Sequence, residues 1–457
     1  MAQMAPRARR RKRFIRGAIG PPSSHVNLPR LQVAAARSRI GRMSDAQTAS
    51  ARELLDHPDY MRFWMIRVLT VIGTQIQAVS IGWQVYAIAR LHNGVAQSAF
   101  IVGMIGLAQF LPLLALCLVA GATADRYDRR KIVACAQALD AICACALAIL
   151  ARMGSTKLWP IFVVAVFFGA GRSFFAPANT AMASMVVPRR LLPRAIAWNS
   201  IAWQGGAIFG PALGGLLCGF SPALAFAVSG ALFLGGLMLN RMLVSNTKPE
   251  HVPGVTRGAL IREGIAYVWS NKIVLGSISL DLAAVLLGGA TALLPVFARD
   301  VLQVGAQGFG VLRAGPAFGA TLMGLYLAAN PIKRHAGLAM FYGVATFGVA
   351  VTVFGLSKIM VLSVAALAVL GAADMISVYV RQTLIQLATP DAMRGRVSAV
   401  SSVFVGASNE FGEFETGIVA RFIGPVGAAV FGGLASIGIT GLWALLFPQL
   451  RKADRLT

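Results

Sequence analysis

Twelve runs of about 20 apolar residues, the length that crosses a bilayer core, dominate this 457-residue chain. They fall near 66–89, 98–122, 132–151, 158–184, 195–218, 222–243, 273–298, 307–329, 337–357, 359–387, 397–420 and 424–447. Lipid offers the backbone no hydrogen-bond partner, so each run must satisfy its own amides as a helix. The chain therefore reads as an all-α membrane protein with twelve transmembrane helices. Its composition, 57 % hydrophobic and 13 % charged with a mean hydropathy of +0.69, excludes an ordinary soluble domain of this length.

A net charge of +25 would suit a nucleic-acid partner if the cations shared a soluble surface with aromatic residues. They do not, because they are segregated between the apolar runs. With the N-terminus cytoplasmic, inside segments hold 32 of the 42 Lys and Arg and outside loops hold 6. That asymmetry predicts cytoplasmic termini at both ends and no nucleic-acid partner.

Residues 1–55 read as a basic cytoplasmic tail, with "RARRRKRFIR" near its start. Two readings stand for residues 1–42: a disordered segment held near anionic lipid, or an extension upstream of a start at Met43. The remaining boundaries are a six-helix half at 56–243, a linker at 244–272, a second half at 273–447 and a tail at 448–457. In the linker, Leu260, Ile261, Ile265, Val268 and Trp269 recur at roughly helical spacing, which predicts an amphipathic helix lying on the membrane surface.

The five cysteines lie in or beside apolar runs without paired spacing, so they read as small buried residues rather than metal ligands. No H-E-x-x-H, Walker loop or dinucleotide fingerprint occurs. No metal, no cofactor and no enzymatic site are expected.

An internal repeat organises the rest. Pro188-Arg189-Arg190-Leu191-Leu192-Pro193-Arg194-Ala195 superposes on Pro390-Asp391-Ala392-Met393-Arg394-Gly395-Arg396-Val397 at an offset of 202. Such a repeat implies two pseudo-symmetric six-helix halves with a solute path between them.

Two motifs then carry a family resemblance. Gly121-Ala122-Thr123-Ala124-Asp125-Arg126-Tyr127-Asp128-Arg129-Arg130-Lys131 resembles the cytoplasmic signature of the major facilitator superfamily, with Asp128 where a second Gly is usual. The resemblance implies a gate built on Gly121, Asp125, Arg126, Arg129 and Arg130 that latches the halves. The corresponding stretch Gly324–Arg334 has lost the acid, so only one latch should be strong. Gly206-Ala207-Ile208-Phe209-Gly210-Pro211-Ala212-Leu213-Gly214-Gly215 resembles the motif that marks antiporters in that superfamily. Small residues at Gly206, Gly210, Gly214 and Gly215 let helices approach closely, and Pro211 kinks one. The opening, His57-Pro58-Asp59-Tyr60-Met61-Arg62-Phe63-Trp64, is similar to the enterobactin-exporter-like, or transmembrane secretion effector, branch.

Ionisable groups at bilayer depth are costly and so are functional candidates. Arg172 and Asp374 stand 202 residues apart and are expected either to face each other across the cavity or to pair within their own halves. Arg381 and Asp281 are further candidates for the substrate cavity, while Arg67, Arg313 and Arg381 could snorkel to headgroups from near the ends of their spans. Asp140 and Asp281 could equally be buried acids hydrogen-bonded to neighbouring helices. In "SNEFGEFETG", Glu410 and Glu413 lie about 60° apart on a helix, whereas Glu415 points about 140° away from Glu410. Two like charges on one face repel, which favours taking up a proton. Glu410, Glu413 and Asp374 are thus proton-coupling candidates, against the alternative that neighbouring arginines neutralise them permanently.

The expected function is a proton-coupled exporter of small molecules such as drugs or siderophores, working as a monomer in a bacterial cytoplasmic membrane. An uptake carrier or lysophospholipid flippase of the same fold is the alternative. A non-transporting scaffold or sensor would be a reading of a different class.

Overall fold

The computed structural model describes residues 52–245, 247–248, 257–332 and 334–452, with backbone alone at a few helical positions, Glu410 among them. Among the described residues, eleven helices are long and apolar enough to span a bilayer. In the first half these are α1 (Pro58–His92), α2 (Val95–Arg126), α3 (Arg129–Arg152), α4 (Trp159–Ala183), α5 (Leu192–Phe220) and α6 (Pro222–Arg241). The second half has α7 (Lys272–Val301), α8 (Gly305–Ala329), α9 (Ala336–Leu356) and α10 (Met360–Ala388), followed by one helix over Asp391–Leu446.

That last helix has 56 residues; straight, it would be about 84 Å long, more than twice a bilayer core of about 30 Å. Gly424 breaks it, with φ 77° and ψ 165°, a backbone region open essentially only to glycine. Pro425 follows and brings no N–H. The arms 391–423 and 425–446 are α11 and α12, so the described residues hold twelve helices consistent with twelve crossings. The break falls at the first residue of the apolar run expected at 424–447.

Each half forms by face-to-face packing of its helices: α1 lies against α5 and α6, α2 and α3 both lie along α4, and α8 and α9 lie along α10. Between the halves, α2 packs on α11 and α5 on α8. Both inter-half contacts are glycine crossings. A Cβ built on Gly215 would lie 2.5 Å from the Gly310 Cα, and one on Gly103 would lie 2.9 Å from the Gly417 Cα. Only hydrogen side chains allow backbones this close.

Both crossings sit at the end of the bundle away from the described chain ends. At that far end Arg90 and Asp300 form an ion pair of 3.3 Å, and the Tyr86 hydroxyl donates to the same carboxylate. Asp300 lies in a π-helical turn, Phe297–Val301, that closes α7. Buried side chains continue across this interface, from Val79 and Val85 of α1 to Leu294, Val296 and Phe297 of α7. The halves are therefore drawn together at the far end.

At the opposite end the linker joins them. Asp59 accepts hydrogen bonds from the Ser245 amide at 2.7 Å and the Ser245 hydroxyl at 2.5 Å, which holds the start of the linker to α1. Its helix, Arg257–Ser270, docks on the second half, with Glu263 ion-paired to Arg396 and Val268 packed among Val397 and Val400. The side chains of Leu260 and Ile261, expected on its apolar face, lie outside the described residues, as does the tail at 1–51.

Candidate functional site

The antiporter-like glycines explain how α5 is held. Gly206, Gly210 and Gly214 recur every four residues and so share one face, which meets α1. A Cβ on them would lie 2.3 Å from Val71, 2.5 Å from Gln75 and 3.1 Å from Ile76 respectively. Gly215 lies beside this face and meets α8 instead. The motif thus fixes α5 simultaneously to its own half and to the other one.

The gate motif works differently in its described contacts. Asp128 caps α3, accepting from the Arg130 amide at 3.1 Å, which gives the departure from glycine a physical role. Arg129 donates to the carbonyls of Ala124 (3.2 Å) and Ala181 (3.4 Å). Arg130 donates to the Arg241 carbonyl at 2.6 Å. These bonds stay within the first half, tying the α2–α3 turn to the ends of α4 and α6. Gly121 and Asp125 sit in the last turns of α2, and Arg126 is exposed beside the Tyr127 ring.

Between the halves, beneath the far-end crossings, lies a cavity of about 400 Å³ with a smaller lobe of about 100 Å³. α7 opens it. Its regular helix ends at Leu287, the chain bends through Gly288 and Gly289, and a 3₁₀ turn at Ala290–Leu293 resumes the span. Irregular backbone at membrane depth is tolerated where it lines a cavity. Gly288, Gly289 and Thr291 line this one.

Thr291, Arg313 and Glu413 border both lobes. Arg313 Nη1 lies 3.6 Å from Glu413 Oε1 and 3.4 Å from the Thr291 carbonyl oxygen. The first half contributes Gln75, Gln109 and Arg172 to the smaller lobe, where Arg172 donates to Gln109 at 3.4 Å. It also contributes Trp203 and Gln204 to the larger one, which Asp374 and Asn409 line from the second half. The first half therefore presents mainly amides and one cation, and the second half a charge pair and a further acid.

Behind the wall, Asp374 shares a narrow recess with Asp281 and Ser377. Asp281 accepts from Ser377 at 2.9 Å and pairs with Arg381 at 3.4 Å. Arg381 also donates to Ser401 at 3.2 Å. Two acids and one guanidinium thus lie together at membrane depth.

Several expectations change. Arg381 neither snorkels nor lines the cavity: its side chain is 2 % exposed, because Asp281 and Ser401 hold it inside. Asp281 is correspondingly an ion-pair partner behind the cavity wall rather than an acid bonded only to a neighbouring helix. Arg313 does not snorkel either; α8 starts at Gly305, which puts Arg313 two turns deep, facing the cavity. Arg172 and Asp374 both reach the cavity, in different lobes. Asp140 is buried in α3 with its Oδ1 lacking a hydrogen-bond partner, pressed on Gly171. The Glu410 side chain lies outside the described residues.

Arg313, Gln109 and the far-end Tyr86–Arg90–Asp300 cluster carry no motif. Only their polarity inside or beside apolar runs marks them.

The description of transmembrane secretion effectors matches residues 50–456, almost the whole chain. The chain belongs to the transmembrane secretion effector family. Curated relatives of this family member include the enterobactin exporter of Shigella flexneri, 24 % identical over 402 residues, covering 87 % of this chain and 94 % of that protein. The enterobactin exporter of Escherichia coli O1:K1 / APEC is 24 % identical over 407 residues, with the same two coverages. Among solved structures, a bacterial homologue of the lysosomal transporter spinster, inward-facing and unoccupied, aligns with a TM-score of 0.65 at 14 % identity, covering 86 % of this chain and 95 % of that one. A D-xylose–proton symporter aligns at 0.64 and 12 % identity, covering 85 % and 98 %. These likenesses establish the major facilitator fold. As a secretion effector of that superfamily, the chain is a multi-pass membrane transporter and not an enzyme.

Proposed function

We propose that the protein exports a small molecule across a bacterial cytoplasmic membrane by alternating access, exchanging it for protons, with both termini cytoplasmic. The observation that carries this reading is the cavity between the halves, capped at the far end by two glycine crossings and holding the Arg313–Glu413 pair. Sealed at one end, a site between two rocking halves is reached from the other. The 32-to-6 distribution of Lys and Arg supports reading the sealed end as external and the accessible side as cytoplasmic.

Coupling is assigned to Glu413 and Asp374, with Glu410 on the same helix as a third candidate. A carboxylate at the cavity wall can exchange an arginine partner for a proton as the halves move. An ionised group at this depth needs an opposite charge or cavity water beside it, and without them a carboxylate takes up a proton. Glu413 meets Arg313, and Asp374 lies beside the Asp281–Arg381 pair, so each acid has a cation that a conformational change can bring nearer or take away.

For the substrate, the curated relatives are named as enterobactin exporters, and Arg172 with the amides of Gln75, Gln109 and Gln204 would suit a polar, oxygen-rich molecule. A siderophore is the reading this supports, ahead of a cationic drug.

Inside-out vesicles test both parts. With an acidic lumen, wild-type vesicles should accumulate enterobactin, and Glu413→Gln and Asp374→Asn should lose the gradient dependence while retaining counterflow. Gradient-driven uptake unchanged in both variants ends the coupling assignment. Accumulation of a cationic dye with no siderophore uptake would replace the substrate reading.

A further inference from the structure

A cavity of about 710 Å³, larger than the central one, lies outside the solute path. It arises from how the first half packs. α2 and α3 both run along α4 and scarcely touch each other, while the two residues Tyr127 and Asp128 join them at the linker end. The result is a cleft open to the side of the bundle, floored by Gly171 and Phe174 of α4. α3 shows which way that side faces: Cys135, at the cleft, is exposed and Ile142, two turns on, is 66 % exposed. An exposed apolar face on a spanning helix is a face toward lipid.

The lining is divided by depth. At the linker end stand Arg126, Lys131 and Lys248. The one acid lining the cleft, Asp128, caps α3 and accepts from the Thr247 hydroxyl, and three cations against this one anion leave the mouth positive. Deeper in, the walls are Ile132, Leu139 and Phe174. Cations at headgroup depth above an apolar slot match a molecule with a phosphate at one end and a hydrocarbon chain at the other. A cleft of this volume falls within the range of about 300–1,000 Å³ typical of small-ligand sites.

We propose that this cleft is a binding site for one anionic glycerophospholipid of the surrounding leaflet. Arg126, Lys131 and Lys248 hold its phosphate, and an acyl chain lies between α2 and α3 against Phe174. Basic side chains beside a spanning helix attract anionic headgroups in this manner. The site requires only that the helices span a membrane, and stands whether or not transport is driven by protons.

The test is native mass spectrometry of the full-length protein, delipidated in detergent and titrated with phosphatidylglycerol or phosphatidylcholine of identical acyl chains. The wild type should retain one phosphatidylglycerol with at least a fivefold preference over phosphatidylcholine. Lys131→Gln combined with Lys248→Gln should abolish the preference; both lysines are exposed, so the variant folds, as its melting temperature will report. Leu139→Trp, which fills the slot, should reduce retention of both lipids. Equal retention of the two lipids by the wild type overturns the proposal, as does an undiminished preference in the double lysine variant. Displacement of the lipid by glycerol phosphate at equal concentration would overturn it too, since the chain would then contribute nothing.

Discussion

Pro211 and Glu413 hold the same place in the two halves, 202 residues apart. The Pro211 carbonyl oxygen lies 2.6 Å from where a Cβ on Gly310 would be, and that of Glu413 lies 3.0 Å from where a Cβ on Gly103 would be. One turn on, Gly215 and Gly417, again 202 apart, make the inter-half crossings themselves. The same backbone junction thus carries a ring constraint in one half and a carboxylate on the cavity wall in the other.

Closure of the far end should depend on those crossings. Gly215→Val and Gly103→Val would each drive carbon into a facing backbone, and overpacking of this sort costs about 1–3 kcal/mol. That is enough to shift a two-state population by about tenfold. A cysteine introduced at Thr291 should then react faster with an impermeant thiol reagent from the external side. An unchanged rate in both variants would mean that the crossings do not hold this end shut.

The Arg90–Asp300 pair should act in the same direction with less force. Its side chains are 27 % and 23 % exposed, so solvent screening limits the pair to about 1 kcal/mol. Arg90→Gln should raise external labelling of the same cysteine about fivefold, and Tyr86→Phe should add to it. High salt should weaken the effect of Arg90→Gln.

Asp281 and Arg381 should matter most for stability. Both are nearly sealed from solvent, with side-chain exposures of 4 % and 2 %. Removing Arg381 leaves Asp281 and Asp374 together in the recess without a cation, and removing Asp281 leaves Arg381 with Asp374 alone beside it; breaking a buried pair in this way costs up to about 3–5 kcal/mol. Asp281→Leu and Arg381→Met should each lower the melting temperature in detergent sharply, and the double variant should recover much of the loss. A double variant as unstable as the two losses added together would show that the pair is not a unit.

At the α2–α3 turn, Asp128→Ala should destabilise by about 1 kcal/mol through loss of the helix cap, and Asp128→Gly by only a few tenths. Thermal unfolding of the purified protein measures both. Equal effects would shift the role of Asp128 from capping to its bond with Thr247.

Apolar length made the twelve crossings legible, including the division that falls at Gly424, because the free energy of insertion is written in composition. The bend of α7 was not legible. Gly288 and Gly289 sit within a continuous apolar run, and hydropathy does not record whether a helix is continuous. The charges were found but not their partners. Arg313 faces the cavity and Arg381 the interior because of how their helices are rotated and which acids stand opposite, and neither property is local in sequence.

At Gly424 two membrane crossings meet at a single residue. A loop of several residues has slack and would let α12 stay still while α11 moves. Here there is none, and any tilt of α11, which carries Glu413, must either twist this one glycine or pull α12 with it. The joint that lets the chain turn back is therefore also the pivot about which the wall bearing Glu413 would swing.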